Sequence, residues 1–336
     1  MPHSAHRLAA TVLSVALAGS VLTAVTPAVA KSSTCTATEL RLPDGTSANA
    51  SSQVKSSDDT GRYQVGTVQL PDGSSFPVLW SDGVPQQLDA DSNNRDAVMD
   101  VNSDGAVLGV TVTEEGPQLP WLYSNGSYKY LEAPVGMDWL SARAINNRGD
   151  VVGNGFDNKT AAFTAIVWPA GGVGQQLLGT PTSGSVDIDD SGAVVGYAED
   201  EKVGSTGVLW RQWDEPGVPI TGRKGEASAL NEIRGTWIRG SELSEENFTS
   251  VLWTTQGPQI TPLEARSLGL NSSGDVAMVD DKGVSFVERR DGTRYEFPER
   301  TLIRRLIERG HGVDAVADTP FTPDAPTRAI LWSGCS

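Results

Sequence analysis

The chain has 336 residues, 42 acidic against 26 basic, for a formal charge of −16. That balance argues against nucleic acid and anionic membranes as partners and favours solubility, cations or basic protein surfaces. With two cysteines and three histidines in all, a disulfide-dense scaffold and a histidine-rich metal centre are excluded as well.

Residues 1–30 read as a secretory signal peptide. Arg7 supplies the positive region, Leu8 to Val25 an uncharged apolar core, and Ala28-Val29-Ala30 a small-residue cleavage site before Lys31. The expected mature product is secreted and extracellular. Losing Arg7 leaves 25 basic against 42 acidic residues and moves the charge from −16 to −17. No later apolar run approaches the roughly 20 residues needed to span a bilayer.

Cys35-Thr36-Ala37-Thr38-Glu39-Leu40-Arg41-Leu42-Pro43 comes next, a strand-like run with no hairpin before it. Beyond it a hairpin signature recurs. Its clearest copy is Ala144-Ile145-Asn146-Asn147-Arg148-Gly149-Asp150-Val151-Val152-Gly153, where Asn first and Gly fourth suit a tight turn between β-prone flanks. Val101 to Gly109 and Ile188 to Gly196 repeat it closely; Asp58 to Gly66, Leu230 to Gly240 and Leu270 to Val279 repeat it more weakly. Each copy precedes an apolar-aromatic pair: Leu79-Trp80, Leu122-Tyr123, Val167-Trp168, Leu209-Trp210, Leu252-Trp253 and Leu331-Trp332, with Phe286-Val287 in that place in the sixth unit.

The turn glycines Gly61, Gly105, Gly149, Gly192, Gly235 and Gly274 lie about 40 to 44 residues apart, the period of a four-stranded propeller blade. In the third unit the expected strands are Ala142 to Ile145, Val151 to Gly153, a run ending at Trp168, and one near Gln175 to Leu178. Seven such units use up residues 31–336, so the expected fold is all-β: one seven-bladed β-propeller of four antiparallel strands per blade.

The seventh unit stops at Leu331-Trp332-Ser333-Gly334-Cys335-Ser336, in the turn after its third strand. The Cys35 to Pro43 run therefore supplies the missing fourth strand, closing the ring three-plus-one. Cys35 and Cys335 are then neighbours, and in an oxidising compartment they pair as a disulfide.

The consensus Ala-Ile-Asn-Asn-x-Gly-x-Val-Val-Gly followed by a Leu-Trp marker resembles the bacterial extracellular HAF-type repeat family, although Ala161-Ala162-Phe163 stands where a His-Ala-Phe element would name that family. A secreted, acidic, single-disulfide, seven-unit propeller is also similar to the dispase autolysis-inducing protein type. That resemblance implies a non-enzymatic protein that engages an extracellular thermolysin-like metalloprotease and promotes its autolysis.

Catalytic groups are scarce. His3 and His6 leave with the signal, so His311 between two glycines is the one remaining base for a serine triad, and no Gly-x-Ser-x-Gly elbow accompanies it. No phosphate loop or dinucleotide fingerprint is present. We expect no catalytic residue, cofactor or metal. Asp89-x-Asp91-x-Asn93 with Asp100 at the twelfth position approaches a calcium loop but lacks its glycine and terminal Glu, and Asp187, Asp189 and Asp190 are similar in kind; solvated inter-blade loops are the expectation for both.

Propeller topology puts the a-to-b and c-to-d turns on one face and the longer b-to-c loops and inter-blade connections on the other. Variable loops on a rigid scaffold carry function, so the second face is the expected binding surface. Its acids include Glu199, Asp200, Glu201, Glu242, Glu245, Glu246, Asp280, Asp281 and Asp318, expected to form an acidic ring around the pore entrance. Trp139 lies outside the repeat on that face and offers an aromatic anchor.

Glu288 to Arg309 carries seven arginines, expected to neutralise neighbouring acidic loops. Gln86-Gln87 and Gln175-Gln176 are candidate transglutaminase acyl donors if exposed. The reading is a monomeric, secreted protein-binding propeller. The alternatives are a propeller hydrolase or lyase using loop carboxylates, or a cell-wall or carbohydrate-binding module.

Overall fold

A computed structural model describes residues 35–88, 96–113, 118–177, 182–200, 204–244, 248–298, 301–309, 312–319 and 325–335. The leader segment, Asp89, Asp91, Asn93, Glu201, Glu245, Glu246 and His311 lie outside them. Over the described residues, 28 strands form seven four-stranded antiparallel sheets, and no helix is long and apolar enough to cross a membrane.

The third blade shows the plan: strand a Met137–Ile145, b Val151–Asp157, c Ala162–Trp168 and d Gln175–Gln176, paired in that order. The a strands of the other blades are Ser51–Ser57, Asp96–Val101, Ser183–Ile188, Ala227–Arg234, Arg266–Leu270 and Leu302–Arg309. Each a strand packs on the next and the last on the first, so they form the wall of a closed ring. The sixth blade keeps all four strands.

Closure follows the expected clasp. Thr36–Glu39 pairs antiparallel with Ala329–Cys335 as the outer strand of blade seven, and Cys35 is disulfide-bonded to Cys335 across 300 residues. One sheet thus contains both ends of the described chain.

Between blades the sheets pack face to face on apolar side chains. Ala144, Val152, Val167 and Leu177 of blade three meet Ile188, Val194, Val208 and Trp210 of blade four, and all are buried. Trp80, Trp168, Trp210 and Trp253 are at most 1 % exposed, so they are core. An indole N–H buried this deeply needs an acceptor. Trp80 donates to the Arg41 carbonyl at 2.7 Å and Trp168 to the Glu132 carbonyl at 2.8 Å, each on the segment leading into its own blade. Blade two departs from the plan: Trp121, two residues before the expected Tyr123, is fully buried beneath Gly109.

The Asn-x-x-Gly turns are self-capped. Asn146 Oδ1 accepts from the backbone N–H of Arg148 at 3.0 Å and of Asp150 at 2.9 Å, and Gly149 at φ 81° closes the turn on the Asn146 carbonyl. Asn102, Asp189 and Asn271 make equivalent bonds. In blade five Arg234 pairs directly with Trp237, shortening the turn and leaving Arg234 where other blades place a turn residue.

Every a strand carries a β-bulge, which the repeat reading did not anticipate. The extra residues are Lys55, Arg143 and Arg304, together with Met99, Val186, Asn231 and Leu268. A bulge re-aims a side chain, and here all seven turn into the channel. The glycine that ends Val-Val-Gly stands opposite the residue that precedes the bulge, as Gly153 does opposite Ala142. A Cβ on Gly153 would lie 2.0 Å from the Ser141 carbonyl oxygen, so the bulged backbone requires glycine there.

Candidate functional site

Trp139 is 54 % exposed on the b-to-c face, as expected, and sits at φ 49°, a left-handed conformation that a bulky residue rarely adopts. Its segment is tied down. Asn158 Nδ2 donates to Asp138 Oδ2 at 2.7 Å and the Asn158 N–H donates to the Gly136 carbonyl at 3.1 Å, joining the inter-blade connection to the b-to-c loop of blade three. Val135 on that connection is fully exposed, and Phe163 on strand c is half-exposed with its ring edge-on to Phe156 at 5.4 Å. Three exposed apolar side chains therefore occupy one corner of the disc. Asp157 beside them is held below the usual carboxylate range by the Lys159 backbone N–H, so it is anionic.

Among the described residues the expected acidic ring is not continuous, and Glu201, Glu245 and Glu246 lie outside them. Glu199 is exposed at the end of strand b in blade four, and Asp200 closes that strand. Asp280 spends its carboxylate on its own turn, accepting from Lys282 N at 3.0 Å and Val284 N at 2.9 Å, while Asp281 beside it is exposed. Both belong to blade six, three blades from Trp139, so the structure does not bring these candidates together. Glu242 is buried, and its carboxylate accepts from Arg223 Nε at 2.9 Å. Asp318 is buried too, bonded to Arg304 and to Val54 N at 2.8 Å.

The channel corrects the expectation more sharply. Its wall on the b-to-c side is basic: Lys55, Arg143 and Arg304 line a cavity of about 150 Å³ with Arg239 and Arg305 behind them. The acidic mouth is on the opposite, turn face, where Asp58, Asp59, Asp189 and Asp190 line a cavity of about 220 Å³. Arg234 and Arg305 line both cavities and so divide the channel.

An ion-pair lattice holds that divide. Asp187 Oδ2 accepts from Arg234 Nη1 at 2.6 Å and Ile233 N at 2.9 Å, and Glu232 pairs with Arg234 at 3.1 Å and Arg239 at 3.0 Å. Arg305 crosses from blade seven to Glu232 at 3.8 Å and to Asp59 at 3.1 Å. Burial pushes the Asp187 carboxyl up to about 7 against the opposing pull of Arg234. Burial alone would lower Arg234, but Asp187 and Glu232 hold it above its ordinary value. Asp100 is no calcium ligand: it is buried, raised by that burial, and accepts from Ser56 Oγ at 2.6 Å and Ile145 N at 3.0 Å.

The arginine-rich stretch behaves as expected. Arg294 pairs with Glu264 at 2.7 Å, Arg304 with Asp318 at 2.8 Å, and Arg290 lies over the Trp237 ring at 4.5 Å. Between blades five and six a cleft of about 300 Å³ holds Glu264 and Glu288, and burial with the Glu264 charge raises Glu288. The glutamine pairs sit on outer d strands with all four residues exposed; Gln86 donates to the Tyr123 hydroxyl at 2.6 Å and Gln176 to Thr164 Oγ1 at 2.9 Å. No metal-ligating cluster of three or more His, Cys, Asp or Glu side chains occurs among the described residues.

One sequence signal could have found the channel wall. Lys55, Met99, Arg143, Val186 and Leu268 each lie six residues before a turn glycine, Gly61, Gly105, Gly149, Gly192 and Gly274. That column was hidden because a bulge reverses which neighbour faces inward.

No protein-family model and no curated protein matches the sequence. Among solved structures, a puromycin-hydrolyzing peptidase from Mycobacterium tuberculosis matches at 12 % identity with a TM-score of 0.56, over 87 % of this chain and 53 % of that one. An acylaminoacyl peptidase from Pyrococcus horikoshii matches at 12 % identity and 0.56, over 84 % and 51 %. TolB from Acinetobacter baumannii gives 10 % identity and 0.48, over 86 % and 64 %. This chain thus spans about half the length of those peptidases. The likeness establishes the propeller fold and nothing of their chemistry.

Proposed function

We propose that this chain is a secreted, non-enzymatic propeller that docks an extracellular protein on its b-to-c face, with Trp139 as the anchor. The observation that carries this reading is the pairing of exposure with strain at Trp139. An aromatic side chain held in a left-handed backbone and left in solvent gains nothing for the fold, and such outliers persist where function uses them. Val135 and Phe163 extend the apolar contact, and the anionic Asp157 nearby favours a partner with a basic rim.

The partner class we assign is a thermolysin-like metalloprotease, whose autolysis the propeller promotes; the resemblance of the overall architecture to the autolysis-inducing type motivates this choice. A propeller whose first and last described strands share one sheet and are stapled by a disulfide suits a protein that meets a protease without being consumed. The leader segment and the disulfide both fit export, and N-terminal sequencing of culture-medium protein should begin at Lys31.

The test is a time course of a thermolysin-like protease with and without residues 31–336, read by activity and by gels that show which protein fragments. Loss of activity with protease breakdown and an intact propeller supports the reading; unchanged activity and bands overturn it. A hydrolytic alternative has one specific foothold, the raised Glu288 beside Glu264 in the blade five to six cleft, since a general acid needs a raised carboxyl. It requires turnover that Glu288→Gln abolishes.

A further inference from the structure

We infer that the central channel contains a binding site for a compact oxyanion, a carboxylate or a phosphate, entered from the b-to-c face. Three bulges, on blades one, three and seven, turn Lys55, Arg143 and Arg304 into the same cavity. Lys55 and Arg143 are exposed to the channel and make no ion pair or hydrogen bond among the described residues. In a chain of net charge −16 with acids on many surfaces, two cations without a partner among the described residues on the wall of one cavity are unusual.

The cavity's own carboxylates do not satisfy them. Asp100 is taken by Ser56 and Ile145 N, Asp187 by Arg234 and Ile233 N, and Glu232 by Arg234 and Arg239. Each of the three is below 10 % exposed, so their oxygens face the protein. Two donors meanwhile lack an acceptor among the described residues: Nε of Arg234 and Nε of Arg305, both on residues lining this cavity, are buried without a hydrogen-bond partner there. A buried orphan donor on an arginine is costly and marks a place where an acceptor belongs.

Size and chemistry then select the ligand. About 150 Å³ far exceeds the ~10–15 Å³ that a single water needs, and suits an ion of a few heavy atoms. Planar guanidinium groups and an ammonium on the wall of one cavity match carboxylate and phosphate oxygens. A nucleic-acid backbone is too long for a cavity of this volume that ends at Arg234 and Arg305. The site depends on the channel wall alone and stands whether or not Trp139 docks a protein.

Isothermal titration in low-chloride buffer tests it, with inorganic phosphate in one arm and a short peptide bearing a free C-terminal carboxylate, against its amidated form, in the other. Saturable binding in either arm, weakened at least tenfold by Arg143→Gln and by Lys55→Gln but unchanged by Arg41→Gln at the remote clasp, supports the site and identifies the source of the oxyanion. Both variants remove exposed side chains without a partner among the described residues and should leave the circular dichroism and the melting temperature unaltered. Absence of saturation in both arms, or equal weakening by Arg41→Gln, overturns the proposal.

Discussion

Asn146 uses its amide twice: Oδ1 closes its own turn, and Nδ2 donates to the Asp189 carbonyl of the next blade at 3.0 Å. Asn102 does the same one blade earlier, its Nδ2 reaching the Asn146 carbonyl at 3.1 Å. The repeated asparagine is therefore both a turn residue and a link between blades. A serine or glycine would serve the turn alone.

Substitution separates those two tasks. Asn146→Asp keeps the turn acceptor and loses the donor, and places a second carboxylate beside Asp150, which accepts from the native Nδ2 at 3.1 Å. We expect a loss of about 1–2 kcal/mol in urea unfolding, and at least as much for Asn146→Ala. A loss below about 0.5 kcal/mol for both would show that the link contributes little.

The glycine opposite the bulge makes a steeper prediction. Gly153→Ala drives a Cβ into a backbone carbonyl that cannot rotate away, so a loss of about 1–3 kcal/mol or failure to fold is expected. Gly257→Ala is the control, because a Cβ there meets nothing within 4 Å and the position needs no left-handed φ. Its melting temperature should match the parent.

The clasp should govern the whole ring. Breaking Cys35–Cys335 by Cys35→Ser removes a constraint on 300 residues, for which chain entropy gives an upper figure of roughly 5 kcal/mol. Thermal unfolding should shift downward, and limited proteolysis should cut first near Thr36–Glu39, where all four side chains are exposed. An unchanged melting temperature would mean that strand pairing alone closes the ring.

Asp187 carries a pH signature. Its folded value of about 7 lies above the ordinary 3.8, so the folded chain holds this proton more tightly than the unfolded chain. The stability it contributes is fully present below about 4 and is lost as pH rises through about 7, at no more than ~1.4 kcal/mol per pH unit. The difference between parent and Asp187→Asn stability should therefore vary across pH 4 to 7 and be flat above it. A difference constant across that window would place the proton elsewhere.

Trp139→Gly distinguishes anchor from scaffold. Glycine accepts φ 49° freely, so stability should hold or rise by about 1 kcal/mol as strain is released. Partner affinity should fall by at least ~2 kcal/mol, measured by surface binding to the protease. Retained affinity would move the docking site off blade three.

Much of this molecule was legible before any coordinates. The Asn-x-x-Gly turn, the tryptophan that ends strand c and the 40 to 44 residue spacing are local and repeat, so they report blade, strand and period directly. The clasp followed from counting strands at the two ends. Trp139 was visible because it breaks the repeat.

The channel was not visible in this way. A period of two predicts which strand residues face inward only while the pleat is regular, and the bulge that every a strand carries shifts it by one. Charges counted along loops likewise suggested an acidic pore entrance, yet Glu242 and Asp318 are buried in ion pairs, while Lys55, Arg143 and Arg304, separated by 88 and then 161 residues along the chain, line one cavity of the channel. The sequence by itself determined the repeat, the fold and the closure, because turns and strand periodicity are set by neighbours along the chain. Which charges meet at the centre was decided only by the tertiary structure, because ring closure brings one residue from each blade to a common axis irrespective of separation in sequence.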